Sequence, residues 1–151
     1  MAEKILSNEV NKQFEQDYKR YGIYILYRRV LSDYRDGLKP VQRRIIWAMY
    51  KNTKAITSRV KSAAVVGDVM KYYHPHSDAA IYGTIKPLAN WFETNIPLID
   101  GGGNFGTFQG DKEAASRYTE CRLSKFAIEN VLGEIMDSPE AVDWSPTYNE
   151  A

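Results

Sequence analysis

Cysteine is almost absent: Cys121 is the only one in 151 residues. An internal disulfide is excluded, which fits a reducing, intracellular compartment. Histidine is nearly as scarce, with His74 and His76 alone. Two imidazoles at i, i+2, one distant cysteine and no facing carboxylate pair make a poor zinc site. No stretch approaches the roughly 18 consecutive apolar residues of a membrane span. The start, Met1-Ala2-Glu3-Lys4, lacks the basic and apolar regions of a secretory signal. No glycine-rich stretch ends in Gly-Lys-Ser/Thr, so nucleotide hydrolysis within this chain is not expected. Internal repeats and low-complexity tracts are missing as well.

What is present suits one globular domain with a core of useful size, since 44% of the residues are hydrophobic. Net charge is only +1, yet the charge is segregated. Residues 19–61 carry 12 basic side chains against 2 acidic ones, whereas residues 108–151 carry 4 against 9. A basic block in a near-neutral chain, interleaved with tyrosines, favours a polyanion partner such as nucleic acid over a merely solvated surface.

Apolar periodicity outlines the elements. Val10, Phe14, Tyr18, Tyr21 and Ile25 predict a long amphipathic helix from about residue 8 to 29. Asp36-Gly37-Leu38-Lys39-Pro40 reads as a turn with proline at a helix start, where its missing N–H costs little. Val41, Ile45, Ala48 and Met49 then mark a buried stripe, with Gln42, Arg43 and Arg44 on the more exposed side. Residues 52–57 read as a loop, and residues 61–72 as a third helix that His74-Pro75-His76 breaks. Ser77 is a good N-cap for the next helix, whose stripe is Ile81, Ile85, Leu88, Ala89 and Phe92. Pro87 should kink or end it. Residues 118–123 alternate as a strand, and Ser124 can cap a helix over about 125–133. The tail from residue 138 to 151 is acidic and turn-rich. Short helices, a tight turn between two of them, then a strand and loop make the pattern of a winged helix-turn-helix domain. Periodicity alone does not separate it from an ordinary small helical domain.

Three features could carry chemistry. Arg117-Tyr118 pairs a phenol, a weak nucleophile at its usual pKa of about 10, with a guanidinium. The guanidinium can favour the phenolate and stabilise charge developing on an attacked phosphodiester. With 11 tyrosines in the chain, the dipeptide alone is weak evidence. His74 and His76 lie between two helices, near a helix N-terminus that favours anions, so they read either as donors to phosphate or as packed rings of a turn. Gly101-Gly102-Gly103-Asn104-Phe105-Gly106 could bring backbone amides to a phosphate or simply form a flexible turn.

These words occur in one order: Arg35-Asp36-Gly37-Leu38-Lys39-Pro40-Val41-Gln42-Arg43-Arg44, Val66-Gly67-Asp68-Val69, Tyr73-His74-Pro75-His76, Gly103-Asn104-Phe105-Gly106, and Ala114-Ala115-Ser116-Arg117-Tyr118-Thr119-Glu120-Cys121-Arg122-Leu123. Together they resemble the start of the breakage-reunion domain of type IIA DNA topoisomerases, above all the A subunits of bacterial DNA gyrase and topoisomerase IV. The resemblance implies that Tyr118 attacks a DNA phosphate to form a 5′-phosphotyrosyl link, with Arg117, His76 and Arg29 in the active site. It implies that Lys39, Gln42, Arg43, Arg44 and His74 contact the DNA backbone, which positions a duplex without reading sequence. It further implies a homodimer of A subunits, each joined to a B subunit in an A2B2 heterotetramer. The B subunit's Toprim and ATPase domains would bind Mg²⁺ and ATP, and none of these cofactors is expected on this chain. A cytoplasmic, nucleoid-associated setting without a membrane follows.

The implied fold is mainly α with a small β component. A helical arm (1–30) precedes a winged-helix, CAP-like catalytic domain (31–137), and 138–151 begin a following region. The family's domain runs well past this length, so an expressed fragment or a truncated relative is expected. A DNA-binding winged-helix fragment without catalytic activity of its own, and a scaffold fragment, are the rival readings. Departures from the family pattern are Ser32 for proline, Gln42 for histidine and Ser77 for glycine. Ala79 and Gly83 stand where quinolone-sensitive bacterial enzymes have serine and an acidic residue, the anchors of the drug's metal-water bridge. The parent enzyme should therefore be poorly inhibited by such quinolones, and Ala79→Ser with Gly83→Asp should sensitise it. Cleavage-complex assays check this; ordinary low-dose stabilisation, or a double variant with no gain, contradicts it.

Overall fold

The structure, a computed structural model, describes residues 9–144 and 146. The chain divides into two compact units, the first closing at Pro40 and the second opening at Val41.

The first unit is built on α1 (Val10–Ile25), none of whose residues is buried. It runs into a wider π-helical turn, Leu26–Val30, where the Leu31 amide donates to the Leu26 carbonyl at 3.0 Å. The helix expected over 8–29 thus ends as a regular α-helix at Ile25, and residue 8 lies outside the described residues. The Arg35-Asp36-Gly37 turn is closed locally. Gly37, at φ 69°, donates to the Asp33 carbonyl, and the Leu38 amide donates to Asp36 Oδ1. A positive φ suits glycine because no Cβ opposes it.

The second unit starts with α2 (Pro40–Lys51), whose first residue comes from the end of the first unit. Proline pre-sets the opening φ, and Ile45, Ile46, Ala48 and Met49 form the buried face. Gln42, Arg43 and Arg44, expected on an exposed side, are all half-buried. Residues 52–57 are not wholly loop. Thr53 leads into a single helical turn, α3 (Lys54–Thr57), which inserts Ala55 into the core. Next come β1 (Val60–Lys61), α4 (Ser62–Tyr72) and α5 (Asp78–Ala89). Ser77 occupies the N-cap position of α5 as expected. Its carbonyl accepts from Ala80 and Ile81, but its hydroxyl makes no cap bond. Pro87 lies inside the helix, which runs two residues past it and stops at Ala89, so Phe92 of the expected stripe falls in the turn that follows.

β2 (Ile99–Gly102) and β3 (Glu120–Leu123) complete an antiparallel sheet in the order β1-β3-β2. Gly101 and Gly102, read as part of a loop, are strand residues. A Cβ on Gly101 would stand 2.9 Å from the Phe105 ring, and one on Gly102 would stand 3.0 Å from Arg59 Cδ. Register places opposite charges across the strands: Lys61 pairs with Glu120 at 2.8 Å, and Asp100 with Arg122 at 2.7 Å. The strand expected from residue 118 begins two residues later, because residues 116–118 form a turn.

The core lies where α2, α4, α5 and the sheet meet. Ile45, Val69, Ile81 and Ile85 are wholly buried there, and each such side chain contributes about 1.5–3 kcal/mol. After β3, the Ser124 hydroxyl accepts from the Ala127 amide at 3.1 Å, as a helix cap should. The helix it opens widens into a π-helical stretch, Ala127–Leu132, and closes as α6 (Gly133–Asp137). The tail makes one 3-10 turn, Pro139–Ala141, and residues 147–151 lie outside the described residues. The chain is mainly helical with a small β component.

Two glycines should respond oppositely to alanine. Gly103 sits at φ 96°, so Gly103→Ala should lower stability by about 1–3 kcal/mol. Gly67, inside α4 with open space around it, should give a gain of about 0.5–1 kcal/mol as Gly67→Ala. Urea midpoints of the two variants check this; shifts of the same sign contradict it.

Candidate functional site

Tyr118 occupies the turn between the Gly103–Glu113 loop and β3. That turn is tied to the start of α4. The Ser62 amide donates to the Thr119 carbonyl at 3.0 Å, and the Ala63 amide to the Ser116 carbonyl at 3.1 Å. Helix N-termini leave amides without intrahelical partners, and here the tyrosine turn supplies two of the missing acceptors. The Tyr118 amide itself donates to the Ala115 carbonyl at 2.8 Å, which closes the turn. The tight turn leaves the Tyr118 side chain in solvent, 65% exposed, while Thr119 beside it is wholly buried. The Arg117 guanidinium lies over the Tyr118 ring, 4.6 Å from its centroid. A guanidinium held against the ring face stays beside the phenol and is available to a phosphate.

The loop before the turn is held rigidly by side chains. The Asn104 carboxamide accepts from the Gly106 amide at 2.8 Å and donates to the Lys112 carbonyl at 3.2 Å. The Ala114 amide returns to the Asn104 carbonyl at 3.0 Å. Gly106 and Gly110 amides are thus engaged within the loop, the latter by the Thr107 carbonyl. The proposed phosphate cradle, residues 101–106, thereby loses the Gly106 donor.

The histidines gather at the other end of α4. The His74 amide donates to the Val69 carbonyl at 2.8 Å, wrapping the chain over the helix terminus. The His74 and His76 rings stack, with centroids 4.2 Å apart. Arg44 Nη1 lies 2.7 Å from His74 Nδ1. A guanidinium only donates, so Nδ1 accepts, and His74 is the neutral tautomer with its proton on Nε2. Arg44, His74 and His76 therefore form one cluster. The amides opening α5 beside it are taken up internally: Ala79 by Asp78 Oδ1, Ala80 and Ile81 by Ser77.

His76 and Tyr118 are not brought together. The 11 residues of α4 put about 15 Å between the end that holds the tyrosine turn and the end that carries the histidines. Gln42 and Arg43 lie half-buried on the first turn of α2, and Ala79 and Gly83 lie exposed one turn apart on α5. Arg29, in the π-helical turn, and Lys39 are exposed residues of the first unit.

The basic block is less open than its composition suggests. Among its 12 basic residues, Lys19, Arg20, Arg35, Arg59 and Lys61 have carboxylate partners. Asp100 receives both Arg59 and Arg122, each at 2.7 Å. The hydrogen bond from Arg59, then that from Arg122, holds its carboxyl below the usual carboxylate range against the opposing effect of burial. Burial pushes the Cys121 thiol up to about 11, so this cysteine is no nucleophile at neutral pH. Among the described residues no three of His, Cys, Asp or Glu gather into a metal-ligand set. No described helix is long and apolar enough to cross a membrane.

Residues that the sequence did not single out also hold the site. Tyr82, Thr119 and Ser62 form a chain of hydroxyls beneath the tyrosine turn. Thr119 follows the tyrosine directly, but its burial had no local signal beyond the alternation of residues 119, 121 and 123.

The fold and site define a mainly helical, partly basic domain that presents one arginine-backed tyrosine on a fixed turn. The family described as the A subunit of DNA gyrase/topoisomerase IV matches residues 29–151. The chain is 43% identical to the DNA gyrase A subunit of Aminobacterium colombiense over 98% of its length and 18% of that protein's. It is 43% identical to the Pseudomonas aeruginosa gyrase A protein over 99% of its length and 16% of that protein's. With its Helicobacter pylori counterpart it shares 41% identity over 99% of its length and 18% of that protein's. The chain belongs to the A-subunit family of DNA gyrase and topoisomerase IV. It spans less than a fifth of the length of these relatives.

The Asp100 cluster predicts an acid dependence. A carboxyl depressed in the folded state stabilises the fold above its unfolded pKa, and that contribution is lost as pH falls through the folded value. The stability gap between the parent and Asp100→Asn should be full at about pH 6 and shrink below about pH 4. Urea unfolding across that range checks it; a gap independent of pH contradicts it.

Proposed function

We propose that this chain is the DNA-cleaving and religating portion of a type IIA topoisomerase, with Tyr118 as the nucleophile. The observation that carries the reading is the exposed Tyr118 side chain on a turn fixed to α4, with the Arg117 guanidinium over its ring. The phenol oxygen attacks a DNA phosphorus, forming a 5′-phosphotyrosyl ester and releasing a 3′-hydroxyl. Religation reverses the step, so the phosphodiester energy is preserved in the protein–DNA link. Arg117 stabilises the charge that develops on the phosphate oxygens.

In this reading residues 31–137 are a winged helix-turn-helix domain, preceded by an arm (1–30) and followed by the start of a further region (138–151). The order α2, the single turn α3, β1, α4, α5, β2, β3, with β3 central in the sheet, supports that assignment. Lys39, Gln42, Arg43, Arg44 and His74 contact DNA phosphates, and His76 and Arg29 act on the bound DNA, although α4 holds His76 about 15 Å from the tyrosine turn within one chain. The Arg44–His74 contact supports this in part, because it leaves the His74 ring proton on Nε2, the atom able to donate to a phosphate.

A homodimer cuts the two strands of a duplex. Mg²⁺ and ATP belong to the Toprim and ATPase domains of the B subunit in an A2B2 complex, which acts in the cytoplasm on the nucleoid. The rival reading is a winged-helix DNA-binding fragment without catalysis of its own.

Incubation of the chain with duplex DNA, with and without a Toprim partner and Mg²⁺, separates them. A denaturant-resistant adduct that vanishes in Tyr118→Phe is expected with the partner. DNA binding that weakens steeply with salt, but no adduct in either condition, supports the rival.

A further inference from the structure

We propose that Tyr82 is a positioning residue that fixes the Tyr118 turn through a buried relay of hydroxyls. This rests on Tyr118 as the DNA nucleophile. Tyr82 Oη donates to the Ala114 carbonyl at 2.7 Å and lies 3.0 Å from Thr119 Oγ1. Ala114 and Thr119 bracket the segment that holds Ala115, Ser116, Arg117 and Tyr118. One phenol oxygen on α5 therefore touches both ends of the segment that presents the nucleophile. Thr119 Oγ1 continues to Ser62 Oγ at 2.8 Å, and Ser62 Oγ lies 3.7 Å from Cys121 Sγ.

Thr119, Ser62 and Cys121 are wholly buried, and no buried side-chain N or O atom among the described residues lacks a partner. Buried hydroxyls that satisfy one another fix orientation, because any rotation of the turn leaves one of them unpaired. The backbone bonds from the Ser62 and Ala63 amides hold the turn to α4. Tyr82 holds it to α5, so the two attachments together fix its tilt as well as its position. The Tyr82 ring does not explain this arrangement by itself. It packs near Phe105, with centroids 6.2 Å apart, as a phenylalanine ring would, and only the hydroxyl reaches the turn.

The test uses Tyr82→Phe, Thr119→Val and the conservative Thr119→Ser. Amide hydrogen exchange is read on the chain by itself. The single-turnover rate of adduct formation and the half-saturating DNA concentration are read with the Toprim partner and Mg²⁺. In Tyr82→Phe and Thr119→Val, exchange at the Ser62, Ala63 and Tyr118 amides should accelerate about tenfold, with the Met49 amide of the core unchanged. The adduct rate should fall by about 10- to 100-fold at an unchanged half-saturating DNA concentration, and Thr119→Ser should restore both. Parent-like exchange and rate in Tyr82→Phe and Thr119→Val overturn the proposal, as does exchange accelerated equally at Met49. If the parent forms no adduct, or Tyr118→Phe still forms one, the nucleophile reading fails alone and the exchange pattern decides the positioning.

Discussion

The arrangement depends on one contact: the first two amides of α4 donate to the carbonyls of Ser116 and Thr119. A helix must find acceptors for its opening amides, and a turn must find a rigid support. Each supplies what the other lacks. α4 is anchored in turn by Val65, Val66 and Val69, which face the core between α2 and α5. The turn thereby inherits the rigidity of the core although Arg117 and Tyr118 are in solvent. Preorganised geometry of this kind is what a nucleophile needs, since small displacements of reacting groups are costly in rate.

The sheet serves the same end. β3 is central, and its first residue follows the tyrosine turn directly. Lys61–Glu120 on one side and the Arg59–Asp100–Arg122 cluster on the other hold its two neighbours in register. A register slip of one residue would flip Cys121 and Leu123 out of the core and shift the tyrosine turn that precedes them. The charges of residues 59 and 61, which look like part of a nucleic-acid-binding block in composition, act first as cross-strand partners.

Much of this was legible in the sequence where the determinant is local. The stripes of α2 and α5, proline at the start of α2, Ser124 as a cap and the break after α4 all follow from neighbours within one or two turns. What was not legible depends on partners far away in the chain. Val60 and Lys61 are a strand only because Cys121 and Glu120 lie opposite. Gly101 and Gly102 are extended because the same strand pairs with them and because Phe105 and Arg59 pass over them. Tyr118 alternates like a strand residue but stands in a turn, since the Ser62 and Ala63 amides draw the carbonyls on either side of it to α4. The Arg117-Tyr118 dipeptide and the histidine pair were found as motifs. The hydroxyls of Ser62, Tyr82 and Thr119 were not, because they meet only after folding.

Tyr118 is an exposed side chain on a backbone fixed to α4. Backbone ¹⁵N relaxation at the Arg117 and Tyr118 amides tests it most directly. Order parameters near those of the helices, about 0.85, are the expected result, whereas values below about 0.6 would mean a flexible loop and contradict the account.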